Sequence, residues 1–334
     1  MVKLSICIPT YNRATLLKNC LQSIISIKSA STTNFQVCIS DNCSTDNTED
    51  IVHWAQQQIP IKYQKNDKNL GMSQNFVNVV QMSEGEFIWM IGDDDLVMPL
   101  AIKVLFNLFF KHPSVDFIYV NSYHLTTEYV LSYPQPFDLK NLPKKMNTFS
   151  SFKKDGEIAF LDLVNPKISF DFLGGIFLCV FKRRNWILNV EFLDKEALKD
   201  LKTFSHFDNT FPHLKIFSKA FSKSLAYFHK QPISICLTGA REWGEYSRLM
   251  RSIRFVEALE LYRRNGLKFY KYIYYRNHAL KNFIPDMLAM MVNKVPGKEY
   301  INPKRLLLKN CIYPNFYGSI VYLFLRKLKK ILFK

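Results

Sequence analysis

Phe87-Ile88-Trp89-Met90-Ile91-Gly92-Asp93-Asp94-Asp95 runs five apolar residues straight into a glycine and three carboxylates. A run this short and this apolar reads as a strand buried on both faces, the kind found in parallel sheets. Three adjacent acids at its end repel one another and are costly to desolvate. Two readings fit them. They are a solvated turn that caps the next helix, with Pro99 opening it, or they surround a hard divalent cation bound through oxygen.

Outward from this stretch, apolar runs alternate with helical patterns. Strands are predicted at Leu4–Ile8, Phe35–Ser40, Ile61–Gln64, Phe87–Ile91 and Phe117–Asn121. Helices are predicted at Ala14–Ile27, from Thr48 to Gln58, Gly71–Met82 and Leu100–Lys111. Strict alternation implies an α/β fold with a mostly parallel sheet flanked by helices, whose ligands bind at the carboxyl ends of the strands. Polar clusters sit at those ends. Pro9-Thr10-Tyr11-Asn12-Arg13, Asp41-Asn42-Cys43-Ser44-Thr45-Asp46, Asn66-Asp67-Lys68-Asn69-Leu70-Gly71 and Gly92–Asp95 each follow a strand, and four such loops at one edge favour a site over four ordinary turns.

Further along, Leu125–Asp155 loses the pattern and reads as a long excursion. Order returns with a strand at Ile176–Phe181, a helix at Thr210–Lys219, and two short strands at Leu225–Phe228 and Ile233–Leu237. After Arg241 the pattern is helical over Tyr246–Asn265, Lys271–Val292 and Gly318–Lys334.

The chain has 334 residues, 48% of them hydrophobic, with 28 Phe and 17 Tyr, enough for a substantial core. Its formal charge is +17, of which +14 falls in residues 241–334, where 20 Lys and Arg face 6 Asp and Glu. That asymmetry points to an anionic partner for the C-terminal region. Met1–Pro9 reads as a first strand, not a signal peptide, and no window reaches the about 18 apolar residues of a spanning helix. The seven scattered cysteines read as reduced, in keeping with a cytoplasmic location. No dinucleotide fingerprint follows the first strand and no Gly-Lys-Ser/Thr phosphate loop occurs, which disfavours dehydrogenases and P-loop nucleotidases.

Ser5–Arg13, Asp41–Asp46, Asn69-Leu70-Gly71 with Asn75, and Gly92–Asp95 with Pro99 together resemble, in order and spacing, the motifs of family 2 glycosyltransferases with the GT-A fold. The resemblance covers about the first 110 residues. It implies Pro9, Tyr11 and Arg13 along a nucleotide base, Asp41 at the base edge, Asn69 and Gly71 in the same nucleotide site, and Asp93 on the ribose. Asp94 would ligate Mn²⁺ or Mg²⁺, with Asp95 on the metal or holding the loop. Tyr11 reads equally well as a packing residue. Many members carry an Asp where this chain has Gly92.

The resemblance further implies an inverting sugar transfer from a nucleotide-sugar donor to a hydroxyl of a glycan, lipid-linked, in bacterial surface polysaccharide synthesis. The family's acidic base position falls here on Pro212-His213, which is similar to a branch that includes O-antigen transferases of the abequosyl type. His213 and Asp208 are the candidate bases; capping of the helix that Pro212 enters is the alternative role for Asp208. Arg241 would hold the diphosphate, or is a surface arginine, and Gly174-Gly175 is either a turn or a close pass by the acceptor.

The expected organisation is a GT-A domain over residues 1–240, its nucleotide half at 1–120 and its acceptor half at 121–240, followed by a basic helical extension at 241–334. In Gly318–Lys334, Val321, Phe324, Leu325, Leu328, Ile331 and Leu332 share one helical face, opposite Arg326, Lys327, Lys329, Lys330 and Lys334. That helix either lies on an anionic membrane surface, which would make the protein peripheral on the inner face of the cell membrane, or packs on the domain. No nucleic-acid recognition motif accompanies the charge. A sugar-phosphate nucleotidyltransferase and a non-catalytic membrane or nucleic-acid adaptor are the other classes considered. The former is disfavoured by the lack of an opening glycine-rich loop. Nothing in the sequence reads out the oligomeric state.

Overall fold

The computed structural model describes residues 2–28, 34–202, 204–239, 244–292 and 295–332, with side chains described as far as Leu325. Its centre is a nine-stranded sheet in the order β3-β2-β1-β4-β8-β6-β9-β5, with β7 pairing β9. The strands are β1 (Leu4–Thr10), β2 (Phe35–Asp41), β3 (Ile61–Lys65), β4 (Phe87–Met90), β5 (Leu96–Val97), β6 (Phe117–Thr126), β7 (Gly156–Ala159), β8 (Cys179–Lys182) and β9 (Leu225–Thr238). β1–β4, β6 and β9 run one way; β5, β7 and β8 run against them.

The first half is built as its sequence dictates. Every residue of β4 is buried, and so is β1 apart from a half-buried Pro9, because helices cover both faces. These are α1 (Ala14–Lys28), α2 (Thr48–Gln56), α3 (Met72–Met82) and α4 (Ala101–Lys111). In α1, Leu17, Cys20, Leu21 and Ile24 are fully buried, the i, i+3, i+4, i+7 stripe of a helix lying on a sheet. Parallel pairing carries β1, β2 and β4 to their carboxyl ends together, with Thr10 opposite Asp41.

The second half departs from expectation in several places. Leu225–Phe228 and Ile233–Leu237 are one strand, β9, whose register against β6 slips between Val120 and Ser122, opposite Pro232. Proline lacks a ladder N–H, so the strand bulges there and then resumes. Ile176–Leu178 is a 3₁₀ turn and only Cys179–Lys182 is strand. The excursion after Leu125 begins later, since β6 extends to Thr126 and a short helix, Thr127–Leu131, follows it. β5 and β7 were not expected.

The helix at residues 210–219 is α5 (Pro212–Ala220). The C-terminal helices are α6 (Phe255–Arg264), α7 (Phe269–Ala279), α8 (Phe283–Val292), α9 (Pro303–Asn310) and α10 (Pro314–Leu332). Two predicted long helices are broken. A short helical piece and a π-helical turn, Met250–Arg254, precede α6, and a 3₁₀ turn, Leu280–Asn282, separates α7 from α8.

One hydrophobic core runs from Leu4 in β1 to Phe316 in α10. Its aromatic heart is Phe117, Phe181, Trp186, Phe217 and Phe221, rings mostly tilted or edge-on at 5.0–6.3 Å. Such pairs add about 0.5–1.5 kcal/mol each beyond their area. Phe217 belongs to α5, so the core fixes the helix that carries His213.

Candidate functional site

Asp93, Asp94 and Asp95 are 5%, 2% and 1% exposed, pinned between β4 and the two-residue β5 that pairs with β9. The turn closes on itself: the Gly92 N–H donates to Asp95 Oδ2 at 2.8 Å, and the Asp95 N–H donates to the Gly92 carbonyl at 3.1 Å. Asp93 accepts from Thr10 Oγ1 at 2.9 Å and lies 3.4 Å from Arg13 Nη1, which is also 3.9 Å from Asp94 Oδ2. Burial pushes the Asp93 carboxyl up to about 6, against the pull of Arg13, and the neighbouring Asp94 adds to the rise. Gly92 has no room for a side chain: a Cβ there would lie 2.5 Å from Asp94 Oδ1 and 3.1 Å from Asp95 Oδ2.

These acids sit in a crevice of about 320 Å³. The strand-end loops supply Pro9, Thr10, Tyr11, Arg13, Asn42, Asn69, Gly71 and Asn75 to its lining. A ladder of amides ties them together. Asn42 donates to Asn69 Oδ1 (2.8 Å) and accepts from the Leu70 N–H (2.8 Å), while Asn75 accepts from Ser40 Oγ (2.6 Å) and donates to the Ser40 carbonyl (2.9 Å). Gly71, at φ 84°, turns the chain into α3 in a conformation that side chains resist.

Elements from the second half add Gly174–Phe177, Leu201, Phe204, Thr210, Phe211, His213 and Met250 to the lining. His213, in the first turn of α5, lies 3.0 Å through Nε2 from the Gly174 carbonyl. A carbonyl only accepts, so Nε2 carries the proton and Nδ1 holds the lone pair. Nδ1 has no hydrogen-bond partner among the described residues. Burial drives the imidazole down to about 3, partly offset by the Gly174 and Leu173 backbone. Met250 opens the π-helical turn, and Arg254 at its end donates to the Phe204 and Ser205 carbonyls, both at 2.9 Å, fixing that part of the wall.

Of the residues named from the sequence, Pro9, Tyr11, Arg13, Asn69, Gly71, Asp93, Asp94, Asp95 and His213 line this one crevice. Asp41 and Asp208 are not in its lining. Asp41 is fully buried, accepting from the Tyr63 hydroxyl (2.9 Å) and the Ser44 N–H (2.8 Å). Asp208 accepts from Lys215 Nζ (2.5 Å) and the Asp194 N–H (2.6 Å). Arg241 lies outside the described residues. Thr10, Asn42, Phe177 and Met250 were not singled out from sequence. The first two stand inside recognised motifs and were legible there; Phe177 and Met250 reach the site only through tertiary packing. Among the described residues, no three Asp, Glu, His or Cys side chains are grouped so as to enclose a metal by themselves.

The Glycosyl transferase family 2 model matches residues 5–163. Residues 5–163 thus match a family 2 glycosyltransferase domain. The matched range includes all four strand-end motifs and stops short of His213. Abequosyltransferase RfbV of Salmonella typhimurium is 38% identical over 104 residues, 30% of this chain and 31% of that protein. The GalNAc(5)-diNAcBac-PP-undecaprenol beta-1,3-glucosyltransferase of Campylobacter jejuni is 29% identical over 205 residues, 59% of this chain and 58% of that protein. The chain thus spans about a third of one curated relative and under two thirds of the other. Among solved structures, S. aureus TarS 1–349 in complex with UDP-GlcNAc superposes with a TM-score of 0.58 at 16% identity, covering 96% of this chain and 91% of that one. The glycosyltransferase domain therefore has the GT-A architecture.

Burial of His213 gives the domain a testable acid sensitivity. The folded state keeps the imidazole neutral down to about 3 whereas the ordinary value is 6.5, so between these limits the unfolded chain binds the extra proton. Its contribution to stability is whole above about pH 6.5 and falls as pH drops through that window. Urea midpoints measured from about pH 7 to about pH 4.5 should fall less steeply for His213→Gln than for wild type, and equal slopes would contradict a buried neutral imidazole.

Proposed function

We propose that the protein transfers a sugar from a nucleotide-sugar donor to a hydroxyl of a lipid-linked glycan, with inversion, in bacterial surface polysaccharide synthesis. The observation that carries this reading is the buried Asp93–Asp95 corner at the mouth of parallel strands, with three further motif loops lining the same crevice. The names of the relatives support the substrate classes. RfbV is an abequosyltransferase, the Campylobacter enzyme has an undecaprenol-linked acceptor in its name, and the TarS complex contains UDP-GlcNAc.

The corner fits Mn²⁺ or Mg²⁺. Its donors are carboxylate oxygens, and the space a Cβ would occupy at Gly92 lies against Asp94 and Asp95. Asp94, with Asp95, would hold the ion, whose remaining ligands come from diphosphate and water, as expected of a hard cation that lacks a complete protein cage. When bound, it supplies neutralisation of the charge developing on the leaving nucleoside diphosphate. Arg13 steadies Asp93 and Asp94, and Tyr11, 40% exposed at the rim, offers a ring to the base. The Asn42–Asn69 pair holds the loop against which the nucleotide lies.

His213 is the better candidate base, since it lines the crevice while Asp208 is engaged by Lys215 and Asp194. Its Nδ1, unpartnered but buried beneath the crevice surface, would take the proton of an acceptor hydroxyl that reaches it, and the Gly174 carbonyl would hold the ring in that tautomer.

Membrane association would bring a lipid-linked acceptor to the crevice. In α10 the side packed on the protein is Phe316 and Ser319, whereas Val321, Phe324 and Leu325 are 58–64% exposed. The described part of the stripe, Val321, Phe324 and Leu325, therefore stands away from the core, and the residues that follow lie among side chains outside the described residues. An exposed apolar stripe leading into a basic terminus suits an anionic leaflet. No helix among the described residues is long and apolar enough to cross a membrane.

Calorimetric titration with UDP, GDP, CDP and dTDP in the presence of Mn²⁺ should give one clear preference, weakened about tenfold or more in Asp94→Asn. Binding of none by the wild type would refute the transferase reading. Flotation with phosphatidylglycerol vesicles should fall about tenfold for the combined substitution Val321→Ser, Phe324→Ser and Leu325→Ser, and undiminished flotation would remove α10 as the anchor.

A further inference from the structure

The wall that carries Gly174 also carries an aromatic strip leading out of the crevice. Phe177 lines the crevice, and Phe149 packs edge-on against it at 4.9 Å. Phe149 is in turn nearly parallel to Phe170 (6.1 Å, 20°) and to His124 (3.5 Å, 18°). Phe170 is 50% exposed.

The loop holding Phe170 outward is strained. Phe172 and Leu173 both adopt left-handed backbone (φ 55° and 71°), a conformation that costs non-glycine residues and persists only where neighbours over-determine it. Here they do. Ser169 Oγ donates to Asp171 Oδ1 (2.7 Å), the Gly175 N–H donates to Asp171 Oδ2 (2.7 Å), the Leu173 N–H donates to Ser169 Oγ (2.8 Å), and the Tyr262 hydroxyl donates to the Phe172 carbonyl (3.1 Å). The side chains of Phe172 and Leu173 are buried as a result, while Phe170 faces out one residue before the Asp171 that anchors the crevice wall.

We propose that Phe170, backed by Phe149, is the platform for a pyranose ring of the acceptor glycan, one sugar removed from the ring that receives the transfer. This rests on the transferase reading above. A pyranose has a face of C–H groups and an edge of hydroxyls; the strip offers flat apolar rings with exposed Asn147 and Thr148 and the half-buried His124 beside them. Its continuity with the crevice through Phe177, on the segment whose carbonyl holds His213, ties it to the side of the crevice that carries the candidate base.

The full chain, as wild type, Phe170→Ala and Phe170→Trp, is applied to a printed array of bacterial O-antigen and capsular oligosaccharides, with nucleoside diphosphate binding measured in parallel by calorimetry. The wild type should retain a subset of the glycans, Phe170→Ala should lose them by about tenfold, Phe170→Trp should keep them, and nucleotide affinity should not change. A wild type that binds nucleotide but no glycan, or glycan binding indifferent to Phe170→Ala, overturns the platform alone. Failure of the wild type to bind any nucleotide would instead overturn the transferase reading on which it rests.

Discussion

Burying three consecutive carboxylates at the end of one strand is the constraint on which the rest of this molecule depends. Such groups are expensive to remove from water unless charge and hydrogen bonds are arranged around them. The arrangement comes from every direction: Thr10 and Arg13 from the end of β1, the Gly92 N–H from within the turn, and β5 clamping the far side onto β9. Gly92 belongs to the same solution. Without a Cβ it lets Asp94 and Asp95 close over the turn, at the position where the resemblance leads one to expect an aspartate. The corner is therefore a compact variant with one fewer carboxylate.

The two sides of the crevice are made by different physics. The strand-end side is parallel sheet, held firmly because β1, β2 and β4 are almost wholly buried, and its loops are cross-linked by asparagine amides. The other side is stitched together from distant segments. The Gly174 segment is held by Asp171 and Tyr262, the wall around Phe204 by Arg254, and α5 by its aromatic core contacts. A crevice with one preformed side and one assembled side suits a shared nucleotide chemistry joined to a chain-specific acceptor.

How much could be read in advance follows the same division. β1 to β4 and the helices between them were legible within about two residues, because continuous apolar runs and helical periodicity are local signals. β5, two residues long, has too little sequence to announce itself, and the merging of two segments into β9 depends on pairing across Pro232 with β6. Within the site, Asp93–Asp95 and the motif loops were legible from spacing. The direction of a carboxylate was not: Asp41 is turned toward Tyr63 and Asp208 toward Lys215, partners 22 and 7 residues away in sequence. The side chains of α10 that dock it on the core were equally hidden, because its apolar periodicity says which residues share a face and not what that face meets.

The central claim is that the geometry closed by Gly92 makes Asp94 and Asp95 a metal–diphosphate corner. Titration of Mn²⁺ followed by electron paramagnetic resonance, alone and with UDP, GDP, CDP or dTDP, tests it in the wild type and in Gly92→Ala. The account predicts that one diphosphate raises wild-type Mn²⁺ affinity by about tenfold or more, and that Gly92→Ala loses this gain while remaining folded. Equal Mn²⁺ and diphosphate binding by a folded Gly92→Ala variant would contradict it.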